Sequence, residues 1–244
     1  MTVPVLILGA RSDIARATAR AFAAKRHPIQ LAARGAEGLA ADKADLETRY
    51  NVEVTLHDFD ALDVAGHEAF VDGLPALPGI AVSAIGLMGE QAENETDPAK
   101  AVAVMRSNFE GPAVILGVLA NRFVNRGSGT LVGISSVAGD RGRASNYVYG
   151  AAKAGFTAFL SGLRNRLAKQ NVHVVTVKPG FVNTAMTAHL DLPARLTAEP
   201  REVALAIVQA VEKSRNIIYV RPIWRLVMTV ICAIPEAVFK KTSI

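Results

Sequence analysis

Three side chains in this sequence could move a proton together: Tyr149, Lys153 four residues beyond it, and Ser136 thirteen residues before it. On a helix, a spacing of four puts Tyr149 and Lys153 on one face, about one turn apart. A phenol has a reference pKa of about 10, so it exchanges protons poorly near neutrality unless a cation stands beside it. Lys153 can be that cation. Ser136, arriving from a strand end, can hold a carbonyl oxygen against the phenol. Given a hydride donor, such a set reduces ketones or oxidises alcohols. Two nearby residues compete for these roles. Tyr147 lies six residues from Lys153 and would point elsewhere on the helix. Ser135 adjoins Ser136, but the thirteen-residue spacing to Tyr149 favours Ser136.

A site for the donor is legible near the start of the chain. Val3-Pro4-Val5-Leu6-Ile7-Leu8 reads as a buried strand, and Gly9-Ala10-Arg11-Ser12-Asp13-Ile14-Ala15 leads from it into an Ala-rich helical stretch ending near Lys25. Strand, glycine turn and helix N-terminus form a cradle for a dinucleotide pyrophosphate, because backbone N–H groups and the helix dipole converge there. Gly9, Arg11, Ser12, Asp13 and Ile14 are its expected contacts. Only the first glycine of a G-x-x-x-G-x-G pattern is present; Asp13 and Ala15 take the other two places. A carboxylate would repel the pyrophosphate, so Asp13 is expected to point away or to pair with a neighbour such as Arg11.

The second apolar run ends Leu31-Ala32-Ala33-Arg34. An acid at Ala33 would bind a ribose 2′-hydroxyl and favour NAD. It is absent, and Arg34 and Arg11 supply two guanidinium groups that suit the 2′-phosphate of NADP. Both can also be read as solvated surface arginines.

These segments resemble the short-chain dehydrogenase/reductase family, and the resemblance covers nearly the whole chain. Other pieces fall in the family's order. Val82-Ser83-Ala84-Ile85-Gly86 resembles its N-A-G strand end, with Ser83 in place of the usual Asn. Asn108 matches the Asn of its long central helix, Ile134-Ser135-Ser136 its catalytic-serine strand, and Lys178-Pro179-Gly180-Phe181-Val182-Asn183-Thr184 the segment over the nicotinamide. The resemblance implies Tyr149 as proton donor, Ser136 as the oxygen-holding group, and Lys153 with Asn108 as the proton-resupply path. It implies cofactor contacts at Asp58 and Phe59, at Ser83 and Ala84, at Tyr149 and Lys153, and at Pro179, Gly180, Val182 and Thr184. Asp58 can instead cap a loop, and Thr184 can instead stabilise a turn.

The alternation of short apolar runs with longer helical stretches predicts an α/β fold: one Rossmann-type, doubly wound parallel sheet of about seven strands with helices on both faces. Strands are expected near 3–8, 29–33, 52–56, 80–84, 129–134, 172–177 and 216–220. Helices are expected near 13–25, 36–49, 64–72, 98–125, 147–169 and 200–213. The switch in strand order should fall between the first and fourth strands, with ligands across the carboxyl ends. The 244 residues read as one domain, with 222–244 an apolar tail.

Half the residues are hydrophobic and mean hydropathy is +0.25, as a doubly covered sheet requires. The single cysteine, Cys232, excludes an intramolecular disulfide and fits a reducing cytoplasm. The N-terminal run lacks a basic leader and is read as a strand rather than a signal peptide. No metal site is expected. A net charge of +5 suits anionic ligands or an acidic membrane surface. Nucleic acid is not expected, because no basic stripe with interleaved aromatics appears.

Two segments bear on the substrate. Asp140-Arg141-Gly142-Arg143 lies between Ser136 and Tyr149, where Arg141 and Arg143 could clamp a phosphate or carboxylate or could simply face solvent. Leu226 to Ile234 is nearly all apolar yet too short to span a bilayer, which takes roughly 20 residues. Flanked by Trp224, Arg225, Lys240 and Lys241, it could lie in a membrane interface, complete the core or join an oligomer interface. These segments, with Asp58–Asp63, Gly86–Glu90, Ala138–Gly150 and Met186–Leu190, are similar to a narrower group of reductases that act on polyprenylphosphoryl-2-keto-pentofuranose. That similarity implies a ketone substrate linked through phosphate to a lipid, a separate oxidase partner that supplies it, and a cytoplasmic enzyme peripheral at the inner membrane face. By family habit, pairing of the two long helices implies a homo-oligomer.

Overall fold

A computed structural model of the chain describes residues 2–188 and 191–242; the end of the Met186–Leu190 stretch and both chain termini lie outside them. Seven parallel strands form the central sheet: β1 (Val5–Leu8), β2 (Ile29–Ala33), β3 (Val54–Asp58), β4 (Ile80–Ser83), β5 (Gly129–Ile134), β6 (Val172–Lys178) and, last in chain order, β9 (Ile217–Tyr219). Their order is β3-β2-β1-β4-β5-β6-β9. The winding therefore reverses between β1 and β4, which opens a crevice at their carboxyl ends.

Strand β1 shows why the sheet is covered on both faces. All four of its residues are buried, and they divide between two cores. Val5 and Ile7 face a cluster that includes Phe22, Leu46 and Ile207. Leu6 and Leu8 face another that includes Val71, Leu116, Phe123 and Phe156. The first cluster is closed by helices α1 (Asp13–Ala23), α2 (Ala40–Tyr50) and α8 (Pro200–Glu212), the second by α3 (His67–Asp72), α6 (Gly111–Arg126) and α7 (Tyr147–Leu167). Alternation of side chains across the pleat is enough to fill both layers from one strand.

The expected strands and helices are present with shifted ends. The run expected as one helix over 98–125 is three pieces: α5 (Pro98–Met105), a π-helical turn at Arg106–Glu110, and α6. Short α4 (Gln91–Thr96) precedes them. Asp97 starts α5 by accepting from the Ala99 and Lys100 backbone N–H groups. The whole run is long and apolar enough to cross a membrane by composition; Ile115, Leu116, Leu119 and Phe123 are instead fully buried against the sheet.

Beyond β6 the chain forms a small parallel pair, β7 (Phe181–Val182) and β8 (Thr197–Ala198). The tail folds as α9 (Ile223–Ala233) and α10 (Glu236–Phe239). Trp224 and Met228, four residues apart, give α9 one buried side. Trp224 and Met228 of α9 bury against Val137.

The turn after β1 packs closely against the end of β4. Gly9 has φ +78°, and a Cβ there would stand 2.9 Å from the Ala84 carbonyl oxygen after β4. Both the left-handed backbone and the contact demand glycine. Gly9→Ala should destabilise the fold by about 1–3 kcal/mol in urea unfolding and should weaken dinucleotide binding in the same preparation.

Candidate active site

The crevice holds a cavity of about 420 Å³. Its walls come from the turn after β1, the end of β4, the end of β5, the start of α7, and the segment after β6. Ser136, Tyr149 and Lys153 line it together. Ser136 leaves β5 in extended conformation and its Oγ accepts from the Ala138 N–H. Tyr149 faces the same cavity, with the Ser136 hydroxyl acting on its phenol. Ser135 is committed elsewhere: its hydroxyl donates to the Lys153 carbonyl and meets the Thr157 hydroxyl, tying β5 to α7. Tyr147 is exposed. The turn carrying Ser136 sits hard against α7, since a Cβ at Gly139 would approach the Ala154 nitrogen to 2.7 Å. That close approach fixes serine against phenol.

Burial governs the two ionisable groups. It pushes the Tyr149 phenol up to about 12, against the lowering effect of the Ser136 hydrogen bond. It pulls the Lys153 ammonium down to about 7. Lys153 is buried, donates to the Ile134 carbonyl at 3.0 Å, and lies 5.6 Å from the Tyr149 ring centre. In the protein alone burial is the largest influence on the phenol, and Ser136, where Lys153 was expected, is the group that opposes it. A phenol held protonated at neutral pH suits a proton donor.

Asn108 is fully buried in the π-helical turn. Its amide donates to the Leu87 and Val104 carbonyls, and its Oδ1 accepts from the Leu87 N–H. A bulge of this kind presents a side chain and frees backbone groups, and it explains how a poor mid-helix residue sits here. The Asn108 Oδ1 would meet a Cβ at Gly86 at 3.0 Å, and the Lys153 Nζ would meet the same Cβ at 3.6 Å. Asn108 therefore anchors the wall next to Lys153.

The floor of the cavity suits a dinucleotide. Arg11, Ser12, Asp13 and Ile14 line it at the N-terminus of α1. Ser12 caps that helix by accepting from the Ala15 N–H. Asp13 does turn away, although not to Arg11: its Oδ2 accepts from the Ala185 N–H at 2.8 Å, across the cavity mouth. Arg11 donates to the Gly35 carbonyl, and Asp58 accepts from the Gly35 N–H. Arg11, exposed Arg34 and Asp58 thus gather at one turn beyond β2 with no acid at Ala33, as a 2′-phosphate site would require. Residues Pro179, Gly180, Val182 and Thr184 line the opposite wall. Thr184 also closes a turn with Thr187.

The comparisons with known proteins agree with this arrangement. A model of the short chain dehydrogenase family matches residues 4–194. The chain belongs to the short-chain dehydrogenase family. Over 241 residues it is 38% identical to an uncharacterized oxidoreductase of Mycobacterium tuberculosis, covering 98% of this chain and 96% of that one. It is 36% identical over 241 residues to an uncharacterized oxidoreductase of Streptomyces coelicolor, covering 97% and 94%. Among solved structures, its fold is similar to a short-chain dehydrogenase from Sphingobium yanoikuyae in complex with NADPH (TM-score 0.81, 24% identity, 96% and 97% covered). It is also similar to an actinorhodin polyketide ketoreductase with NADPH (TM-score 0.79, 23% identity, 90% and 95% covered).

Several expected positions of this dehydrogenase differ from their assignments. Arg141 does not line the cavity. Its guanidinium donates to the Ile231 and Ile234 carbonyls and to Glu236, and stacks 3.6 Å from the Phe239 ring centre, so it closes the end of α9 instead of clamping substrate. Ser83 is buried within β4, and Ala84, Ile85 and Gly86 form the wall in its place. Phe59 packs on His67 and Phe70, and its N–H donates to the Ala33 carbonyl, so its ring belongs to the core. Arg143 does line the cavity, and its Nε is buried without a partner.

Three contributors were hidden from sequence reasoning. Asn146 precedes α7, leaves that helix uncapped, and keeps a buried Oδ1 without a partner at the cavity. Trp224 closes one wall from the tail. Asp140 accepts from Lys178 at 2.5 Å and from the Tyr219 hydroxyl at 2.9 Å, joining the Ser136–Tyr149 loop to the ends of β6 and β9.

Lys153 yields a test of its environment. Its folded pKa near 7 lies below its ordinary 10.5. Between those values the unfolded chain binds the extra proton, so stability should rise with pH across that window. Denaturant unfolding from pH 7 to pH 10 should show this rise in the native chain and a much flatter profile in Lys153→Met.

Proposed function

We propose that the chain is an NADPH-dependent ketone reductase. The observation that carries this reading is the meeting of Ser136, a protonated Tyr149 and Lys153 in one cavity floored by the N-terminus of α1. Arg11, Ser12, Ile14, Gly180, Val182 and Thr184 would hold the cofactor, with Arg11 and Arg34 at its 2′-phosphate. When bound, it supplies the hydride that reaches the carbonyl carbon. Ser136 holds the substrate oxygen and favours the charge that develops on it. Tyr149 gives its proton to that oxygen, and Lys153 with the wall anchored by Asn108 serves the return of a proton to the phenol. The preference for NADP over NAD is supported by the two arginines and the missing acid.

The finer reading is a 2-keto-pentofuranose joined through phosphate to a polyprenol. It is supported by the similarity of the stretches around Asp58–Asp63, Gly86–Glu90 and Ala138–Gly150 to reductases of that group. It is supported also by the unpartnered Arg143 and Asn146, a donor and an acceptor suited to a phosphate oxygen and a sugar hydroxyl. On this reading a separate oxidase supplies the ketone. The outer face of α9, with Leu226 and Val230 about 60% exposed next to Arg225, rests on an acidic membrane surface. A second copy covers the exposed Val102, Met105 and Phe109 beside α7. The buried inner face of α9 favours a second reading, a small soluble carbonyl substrate.

Purified protein should oxidise NADPH when given a polyprenylphosphoryl-2-keto-pentofuranose in detergent, and the product should be the pentose with C2 reduced. Tyr149→Phe should lower kcat at least a hundredfold with NADPH binding retained. Arg143→Met should raise KM for the phosphorylated substrate and leave that for an uncharged ketone unchanged. Tight NADPH binding without turnover of the lipid-linked ketone would remove the finer reading and leave a panel of soluble ketones to be tried.

A further inference from the structure

The tail lies beyond the residues matched by the family model, yet it supplies a wall of the site. Trp224 is the chain's single tryptophan. It is 3% exposed and lines the same cavity as Ser136, Tyr149 and Lys153. Its position is over-determined. Its Nε1 donates to the Leu196 carbonyl at 3.1 Å. Its ring meets Phe181 edge-on, with centres 5.2 Å apart. It also occupies the space where a side chain at residue 180 would be, because a Cβ on Gly180 would run into the indole. The glycine after Pro179 therefore serves the tryptophan as well as the turn.

The helix carrying Trp224 is fastened from the loop that carries the active-site residues. Arg141 lies between Ser136 and Tyr149 in the chain. It donates to the Ile231 and Ile234 carbonyls at the end of α9, pairs with Glu236 at 3.0 Å, and stacks on Phe239 of α10. The last carbonyls of a helix have no partner within it, so a guanidinium that takes them fixes the helix end. Neighbouring Asp140 makes the same joint from its other side: its carboxylate takes Lys178 and Tyr219, and its carbonyl accepts from the Cys232 thiol. Any movement of α9 would have to break this set, and any movement of Trp224 would open the cavity wall.

We infer that Trp224 is a specificity-determining residue whose indole selects ketones carrying a ring or another broad apolar face beside the carbonyl, and that Arg141 is the positioning residue that latches it there. The inference rests on the ketone-reductase reading and names the substrate class of that same site. The indole is nearly closed to water and holds the mostly apolar wall in place, so a ketone broad enough to fill the cavity against that wall gains apolar contact that a small ketone does not.

The test uses the full chain, Arg141→Met, Arg141→Lys and Trp224→Leu, each checked for NADPH binding by nicotinamide fluorescence so that unfolded variants are recognised. Because Trp224 is the only tryptophan, its emission reports the latch without any turnover. Arg141→Met should shift that emission to the red and make it several times more open to acrylamide quenching, with partial rescue in Arg141→Lys. Steady-state kinetics with cyclohexanone and acetone then read the wall. Trp224→Leu and Arg141→Met should lower the ratio of kcat/KM for cyclohexanone over acetone roughly tenfold or more, mainly through KM. Unchanged emission and quenching in Arg141→Met would overturn the latch. An unchanged ratio in Trp224→Leu would overturn the wall. A native chain that binds NADPH and turns over neither ketone would overturn the selection of ring ketones by this wall and leave the reductase reading to the lipid-linked substrate, while the quenching result would still decide the latch.

Discussion

The contact on which the site depends is the close approach of the turn after β5 to helix α7. With no side chain at Gly139, the turn carrying Ser136 can sit against the helix that carries Tyr149, and both side chains reach the cavity wall. Burial then sets the chemistry. It holds the phenol protonated and leaves Lys153 near the point of giving up its proton. Two groups that titrate above neutrality in water are thereby arranged as a donor and its nearby exchangeable amine. The cost is a buried lysine whose ammonium, among the described residues, hydrogen-bonds only the Ile134 carbonyl.

The sheet explains why this contact forms where it does. Because the strand order reverses between β1 and β4, the ends of β1, β4, β5 and β6 all open on one crevice. The helix N-terminus after β1 brings unpaired N–H groups to the floor, and the strand end after β5 brings the serine to the wall. Asp13 is the one departure from a glycine-rich turn that could have spoiled the floor. Its carboxylate is drawn across the mouth to the Ala185 N–H. That bond removes a negative group from the pyrophosphate's place and fastens the segment that covers the cavity.

The loop between Ser136 and Tyr149 divides its charges by function. Asp140 and Arg141 are consumed in structure: one joins β6 and β9, the other ends α9. Arg143 and Asn146 keep unpartnered polar atoms at the cavity. An unpaired buried donor or acceptor is costly in an empty site. A polar ligand would remove that cost.

The amino-acid sequence by itself determined the parallel sheet, its switch point and the grouping of Ser136, Tyr149 and Lys153 at one crevice. Those features rest on local patterns: apolar runs of strand length, a glycine turn before a helix, and a Tyr and Lys four apart. The spacing also chose Ser136 over Ser135 and Tyr149 over Tyr147. It could not show that Arg141 would be spent on α9, whose carbonyls lie about ninety residues away. It could not place Trp224 in the wall or break the long helix at Asn108, and it put Ser83 on the cofactor when packing gives it to the interior. Each of these outcomes depends on which distant groups compete for the same donor, acceptor or space. Only the tertiary structure settles that competition, because hydrogen bonds and close packing join residues by position in space and not by distance along the chain.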